Sequence, residues 1–201
     1  MDIFDLMRSR RSIRKYQKRQ IPRELVEKVL EAGSYAPNAG GGQRSVLVAI
    51  HDRELVERLG RLNAASMDRR KLLGGYVSAD QPSIIDDPSI KSGFYGAPTV
   101  CVVFTPVSFL YGVPDAFCCA ENMVLAASEL GLASCIIARG EDTFDALLGL
   151  ELMKKWGIPE GWIARCFVTL GYCEGGYPSP KERRDVYKRQ VLPTTSASSA
   201  S

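Results

Sequence analysis

The chain has 201 residues and a 45% hydrophobic content, which suits one domain with a real core. Its 26 cations against 23 anions leave a formal charge of +3, too balanced for a protein that coats nucleic acid. No apolar stretch is long enough to span a bilayer and the first residues are too polar for a secretory signal, so a cytoplasmic setting with no membrane partner is expected.

An opening helix is expected over residues 2–9, carrying Ile3, Phe4, Leu6 and Met7. Directly after it, Arg10-Arg11-Ser12-Ile13-Arg14-Lys15-Tyr16 packs cations, a hydroxyl and an aromatic into one short run. Guanidinium forks match phosphate oxygens in bidentate geometry, and a neighbouring serine adds a donor. The same pattern also suits a solvated face, and only the rest of the chain decides between them. Because the overall charge is nearly balanced, a small anionic ligand fits better than a polymer.

Pro22 to Ala32 forms an amphipathic helix, with Leu25, Val26, Val29 and Leu30 as its apolar stripe and Gly33 as its stop signal. A loop from Tyr35 to Gln43 follows, then a strand from Ser45 to Ile50, and Asp52 caps a helix running to about Ser66. Residues 67–95 lack sustained periodicity and read as a lid or binding loop in which Tyr76, Phe94 and Tyr95 either line a cavity or simply pack. A β-branched run from Pro98 to Phe104 is a strand, and Asp115 to Leu130 is a long apolar helix closed by Gly131. A strand over Ser134–Ala138, a small helix at 142–148 and a last strand over Ile163–Leu170 complete the pattern. Strands mixed with longer helices predict an α+β or α/β sandwich on one central sheet. Residues 187–201 are low-complexity and read as a foreign or disordered tail, leaving a domain over 1–186. Without that tail, which carries Lys188 and Arg189 and no acid, +3 becomes +1.

Six cysteines are present, but there is no Cys-x-x-Cys, and the one histidine, His51, lies far from them in sequence. They read as buried reduced thiols, with no metal site expected. A Ser-His-Asp set is likewise missing from the pattern.

Four segments combine: the basic run at 10–16, the Pro37-Asn38-Ala39-Gly40-Gly41-Gly42-Gln43 loop, the Glu121-Asn122 to Gly131-Leu132 helix end, and Gly171-Tyr172 followed by Pro180-Lys181-Glu182-Arg183. In this order they resemble the FMN-dependent nitroreductase family, from residue 2 to about 185. The resemblance implies an α+β nitroreductase-like sandwich, with a central mostly antiparallel sheet flanked by helices. It also implies an intertwined homodimer binding FMN at two interface sites, with NADH or NADPH as donor and a small-molecule acceptor. Carried over, Arg10, Arg11, Ser12 and Arg14 hold the phosphate, ribityl chain and pyrimidine edge, and Lys181 and Arg183 join Arg10 at the phosphate. Pro37, Asn38, Ala39 and Gln43 approach the ring from the partner chain. The turn at Ala138, Arg139 and Gly140 faces the ring, and Asn63 supplies an amide near it. No side chain is assigned as catalytic, because the cofactor carries the chemistry.

The chain departs from that family's pattern at Gly41, at Arg44-Ser45 after the glutamine, and at Ala133, so ring contacts are expected to differ in detail. The implied reaction is hydride transfer from NAD(P)H through the flavin to a nitroaromatic, quinone or activated alkene in ping-pong order. Dehalogenation, flavin reduction and dehydrogenation suit the same scaffold, and so does a non-enzymatic FMN-binding module.

Overall fold

Period-two apolar alternation dictates the centre of the molecule. In the computed structural model, β1 (Val46–Ile50), β2 (Thr99–Pro106), β3 (Ala133–Ile137) and β4 (Trp162–Gly171) form one sheet in the order β1-β2-β4-β3. Every neighbouring pair is antiparallel. The structure describes residues 2–67, 77–180 and 182–183.

Side chains alternate between two apolar layers, as strand geometry requires. Leu47, Ala49, Cys101, Val103, Cys166, Val168 and Leu170 pack on one face against α2 (Arg23–Ser34) and α4 (Gly112–Glu129). Val46, Val48, Val100, Val102, Phe104 and Phe167 pack on the other, against α3 (Arg53–Ala65) and α5 (Leu147–Lys155). The alternation breaks once. Val103 pairs with Cys166 while Phe104 pairs with Ala164, so Arg165 is the extra residue of a β-bulge. Its guanidinium bonds Thr105 Oγ1 at 2.9 Å and the carbonyls of Pro106 and Val107, and it pairs with Glu141.

The expected α+β architecture is borne out, with three local corrections. Gly33 does not stop α2, which runs on to Ser34; a Cβ there would lie 2.7 Å from Leu47 and 2.8 Å from Met123, so the glycine is selected by close packing onto the sheet. The long helix begins at Gly112, three residues before the expected start at Asp115, with Pro114 in its first turn. The helix expected at 142–148 is instead a tight turn over Glu141–Thr143 followed by α5 from Leu147. Tertiary contacts draw Phe144 inward against Phe104 and Phe167, which breaks the helical run, and α5 tolerates Gly149 because a Cβ there would meet the Phe144 backbone at 2.4 Å.

In the 67–95 segment, Tyr76 lies outside the described residues, while 77–95 is anchored by fully buried Ile84 and Phe94. Phe94 is a core residue and not a cavity wall: its ring centroid lies 4.7 Å from that of Phe167. The cysteine reading is upheld among the described residues: all six thiols are free and Cys101, Cys119, Cys135 and Cys166 are buried. No cluster able to hold a metal ion is present among the described residues, and no helix there is long and apolar enough to cross a membrane.

Candidate functional site

The basic run leaves α1 (Ile3–Ser9) and crosses the open side of β3. Ser12 bridges Ser134 in parallel, Ile13 N donates to Ser134 O at 2.9 Å, and Tyr16 bridges Cys173 beyond β4. Ile13 and Tyr16 are buried in one small cluster with Ala97 and Ala133 and serve as anchors. The Tyr16 hydroxyl lies 2.7 Å from Ile13 O and from Thr169 Oγ1; burial pushes this phenol well up, so it stays protonated. Ser12 and Arg14 are left to face a cavity.

That cavity measures about 250 Å³. Arg10, Arg11, Ser12 and Arg14 line one wall, Ser179 and Arg183 come from the far end of the chain, and Ser78 and Gln81 close it from the loop that reads as a lid. Burial depresses the Arg11 guanidinium, and the neighbouring Arg183 and Arg10 cations add to the effect. Its terminal nitrogen donates to the carbonyls of Arg8 and Arg10, at 2.7 and 2.6 Å, while its buried Nε has no protein partner. Among the described residues no carboxylate pairs with Arg10, Arg11, Arg14 or Arg183. Like charges held together without acids need an anionic ligand to balance them. A phosphate-bearing cofactor such as FMN fits this donor set.

Lys181 lies outside the described residues. The loop residues Asn38 and Gln43 line a different, smaller cavity of about 120 Å³ with Ser34 and Cys119. That loop is held in shape by Asn38 Oδ1, which accepts from Gln43 N at 2.8 Å, and by buried Asp115, which accepts from Ala39 N at 3.0 Å. Pro37 is exposed beside it. Within one chain the structure therefore does not bring Pro37, Asn38, Ala39 and Gln43 to the arginine cavity.

Asn63 is fully buried and its amide is spent inside the protein: Nδ2 donates to Arg139 O at 2.6 Å and to Thr143 Oγ1 at 2.9 Å. It braces the Ala138-Arg139-Gly140 turn from below and exposes no atom of its own. Gly140 seats that turn on β4, since a Cβ there would meet the Arg165 carbonyl carbon at 2.5 Å. Asn122 is also structural, donating to Ala32 O at 3.0 Å and tying α4 to α2. Gln81 and Ser78 had no sequence signal, because nothing periodic or motif-like marks their loop.

Fold and cavity together define a single-sheet α+β protein whose site has the chemistry to take a phosphorylated ligand. A family model for the nitroreductase family matches residues 7–172. A protein of Archaeoglobus fulgidus named for NADH dehydrogenase or NAD(P)H nitroreductase activity is 29% identical over 191 residues, covering 93% of this chain and 90% of that one. Nitroreductase NfnB of Mycolicibacterium smegmatis is 27% identical over 189 residues, covering 78% and 81%. Among solved structures, a nitroreductase with bound FMN from Bacteroides fragilis matches with a TM-score of 0.73 at 26% identity, over 98% of this chain and 100% of that one. The chain belongs to the nitroreductase family.

Proposed function

We propose that this protein is an FMN-dependent NAD(P)H oxidoreductase acting as a homodimer on a small electron-poor acceptor. The observation that carries this reading is the cavity shared by Arg10, Arg11, Arg14 and Arg183, cationic and without an acid among the described residues. When bound, FMN supplies the redox chemistry, relaying hydride from NAD(P)H to a nitroaromatic, quinone or activated alkene in ping-pong order.

The residues of this chain bind and orient. Arg10, Arg11, Arg183 and Lys181 serve the phosphate, and Ser12 and Arg14 serve the ribityl chain and pyrimidine edge. The turn at Ala138, Arg139 and Gly140 offers main-chain donors to the ring, with Asn63 holding it in place. Pro37, Asn38, Ala39 and Gln43 serve the partner's cofactor. The distance in chain and space between this loop and the arginine cavity supports that division, as do the exposed apolar side chains Phe4, Met7, Leu110 and Tyr111.

The test is direct. Purified protein should show the yellow flavin spectrum, or acquire it with FMN, and should bleach under NADPH or NADH without air. A colourless protein that takes up no FMN would sink the reading. A yellow protein that neither donor bleaches would leave a binding module.

A further inference from the structure

Beside the arginine cavity lies another of about 390 Å³, and Arg14 is a wall of both. Lys15, Lys91, Ser92 and Tyr95 line it together with Glu57 and Asp87. Ser92 leads into Gly93, which packs so closely on Asn63 that a Cβ there would lie 1.9 Å from Oδ1, and Asn63 binds the turn at Arg139. The cavity therefore adjoins both Arg14 and the turn that the cofactor reading sets against the ring. A donor that brings its nicotinamide to the ring has room there for its remaining length.

Cations outnumber acids in this cavity. Glu57 is engaged by Arg61, whose Nε lies 3.1 Å from the carboxylate. Asp87 accepts from Ser89 N at 2.8 Å, and hydrogen bonds from Ser89 hold its carboxyl below the usual range, so it stays ionised. Among the described residues Lys15 has no carboxylate within ion-pair distance. Arg14, Lys15 and Lys91 thus face one acid, Asp87, and the excess of positive charge suits a compact anion such as phosphate.

Tyr95 adds a flat face. Its backbone sits at φ 58°, in the left-handed region where a bulky side chain is strained, and Gly96 continues the turn at φ 73°. Strain of this kind persists where surrounding contacts impose it, and it gathers at ligand sites. The Tyr95 ring centroid lies 5.9 Å from the guanidinium carbon of Arg14. Purine bases stack on such aromatic rings and guanidinium planes.

NADPH differs from NADH only in a phosphate on the adenosine 2′-oxygen, a group that basic side chains recognise. Resting on the FMN reading above, we propose that this cavity holds the adenosine end of the nicotinamide donor, with Lys15 and Lys91 at the 2′-phosphate and Tyr95 against the adenine. The protein then takes NADPH in preference to NADH.

FMN-loaded full-length protein, with its arginine cavity filled, is titrated by calorimetry with 2′,5′-ADP and with 5′-AMP, which lacks the 2′-phosphate. Wild type should bind 2′,5′-ADP about tenfold or more tightly than 5′-AMP. Lys15→Gln and Lys91→Gln should each cut that ratio by about three- to tenfold, and the NADPH-over-NADH ratio of kcat/KM should fall in step. FMN retention and thermal melts serve as folding controls. Wild type that fails to bind 2′,5′-ADP, or binds both nucleotides alike, would overturn the proposal. A ratio that neither substitution moves would overturn it too, placing the phosphate elsewhere. Wild-type protein that takes up no FMN overturns the cofactor reading, and this proposal with it, before any nucleotide is added.

Discussion

Asn63 and Arg139 hold each other twice: the Asn63 amide donates to the Arg139 carbonyl at 2.6 Å, and the Arg139 guanidinium donates back to Asn63 Oδ1 at 3.2 Å. The pair welds the last turn of α3 to the turn after β3. Asn63→Leu removes both bonds and leaves the Arg139 carbonyl with the Thr143 hydroxyl alone, which donates to it at 3.1 Å. It should cost about 2–3 kcal/mol in urea unfolding and also weaken FMN binding. A variant of unchanged stability would show that the turn is held by its own residues.

Two glycines should respond differently to the same methyl group. At Gly140 the new Cβ would meet main-chain atoms of Ala164 and Arg165, at 2.8 and 2.5 Å, which cannot yield without bending β4. At Gly33 it would meet the side chains of Leu47 and Met123, which can rotate. Gly140→Ala should therefore lose about 3 kcal/mol, whereas Gly33→Ala should lose under about 1 kcal/mol, because better helix propensity offsets the crowding. Thermal melts of the two variants side by side decide it.

On the proposed reading, removing one of the cavity cations should act on FMN and spare riboflavin. Arg10→Ala and Arg183→Ala are each expected to weaken FMN about 10- to 100-fold, the worth of one charge-assisted hydrogen bond, with the loss shrinking at high salt. Size-exclusion chromatography should find the oligomeric state unaltered. Parallel loss of assembly and FMN would make these arginines structural.

The buried thiols set an alkaline limit on the fold. Burial pushes Cys101 and Cys166 from an ordinary value of 9.0 up to about 12. In the unfolded chain they ionise first, so between those two values the native state binds more protons and stability falls as pH rises. Below pH 9 their contribution is fully present. A Cys101→Val, Cys166→Ala double variant should show a flatter decline across that window than the wild type, measured by urea midpoints. At pH 8 iodoacetamide should leave both thiols unlabelled in folded protein.

The sheet and most helices were legible because their signals are local. Val46–Ile50 and Thr99–Pro106 carry β-branched runs, and Asp52 caps α3 by accepting from Glu54 and Leu55, as its position foretells. The arginine cavity was legible too, since Arg10 to Arg14 and Arg183 are marked by motif and charge. What escaped depends on distant partners. Gly33 looks like a stop signal until Leu47 and Met123 are seen against it. Phe144 breaks a helical stretch because aromatic rings far along the chain draw it in. Gln81 becomes meaningful only once its loop folds over Arg14.

The β4 bulge has a consequence for reading related chains. Skipping Arg165 joins the two halves of its ladder with β2 into one continuous register, with Ala164 still facing the layer that holds Phe167. A chain one residue shorter here would keep its sheet intact and lose only the tether from β4 to Glu141 and the end of β2. Strand length at this point thus becomes a marker, countable in any aligned relative, of whether the turn after β3 is moored to the sheet or left to its own bonds.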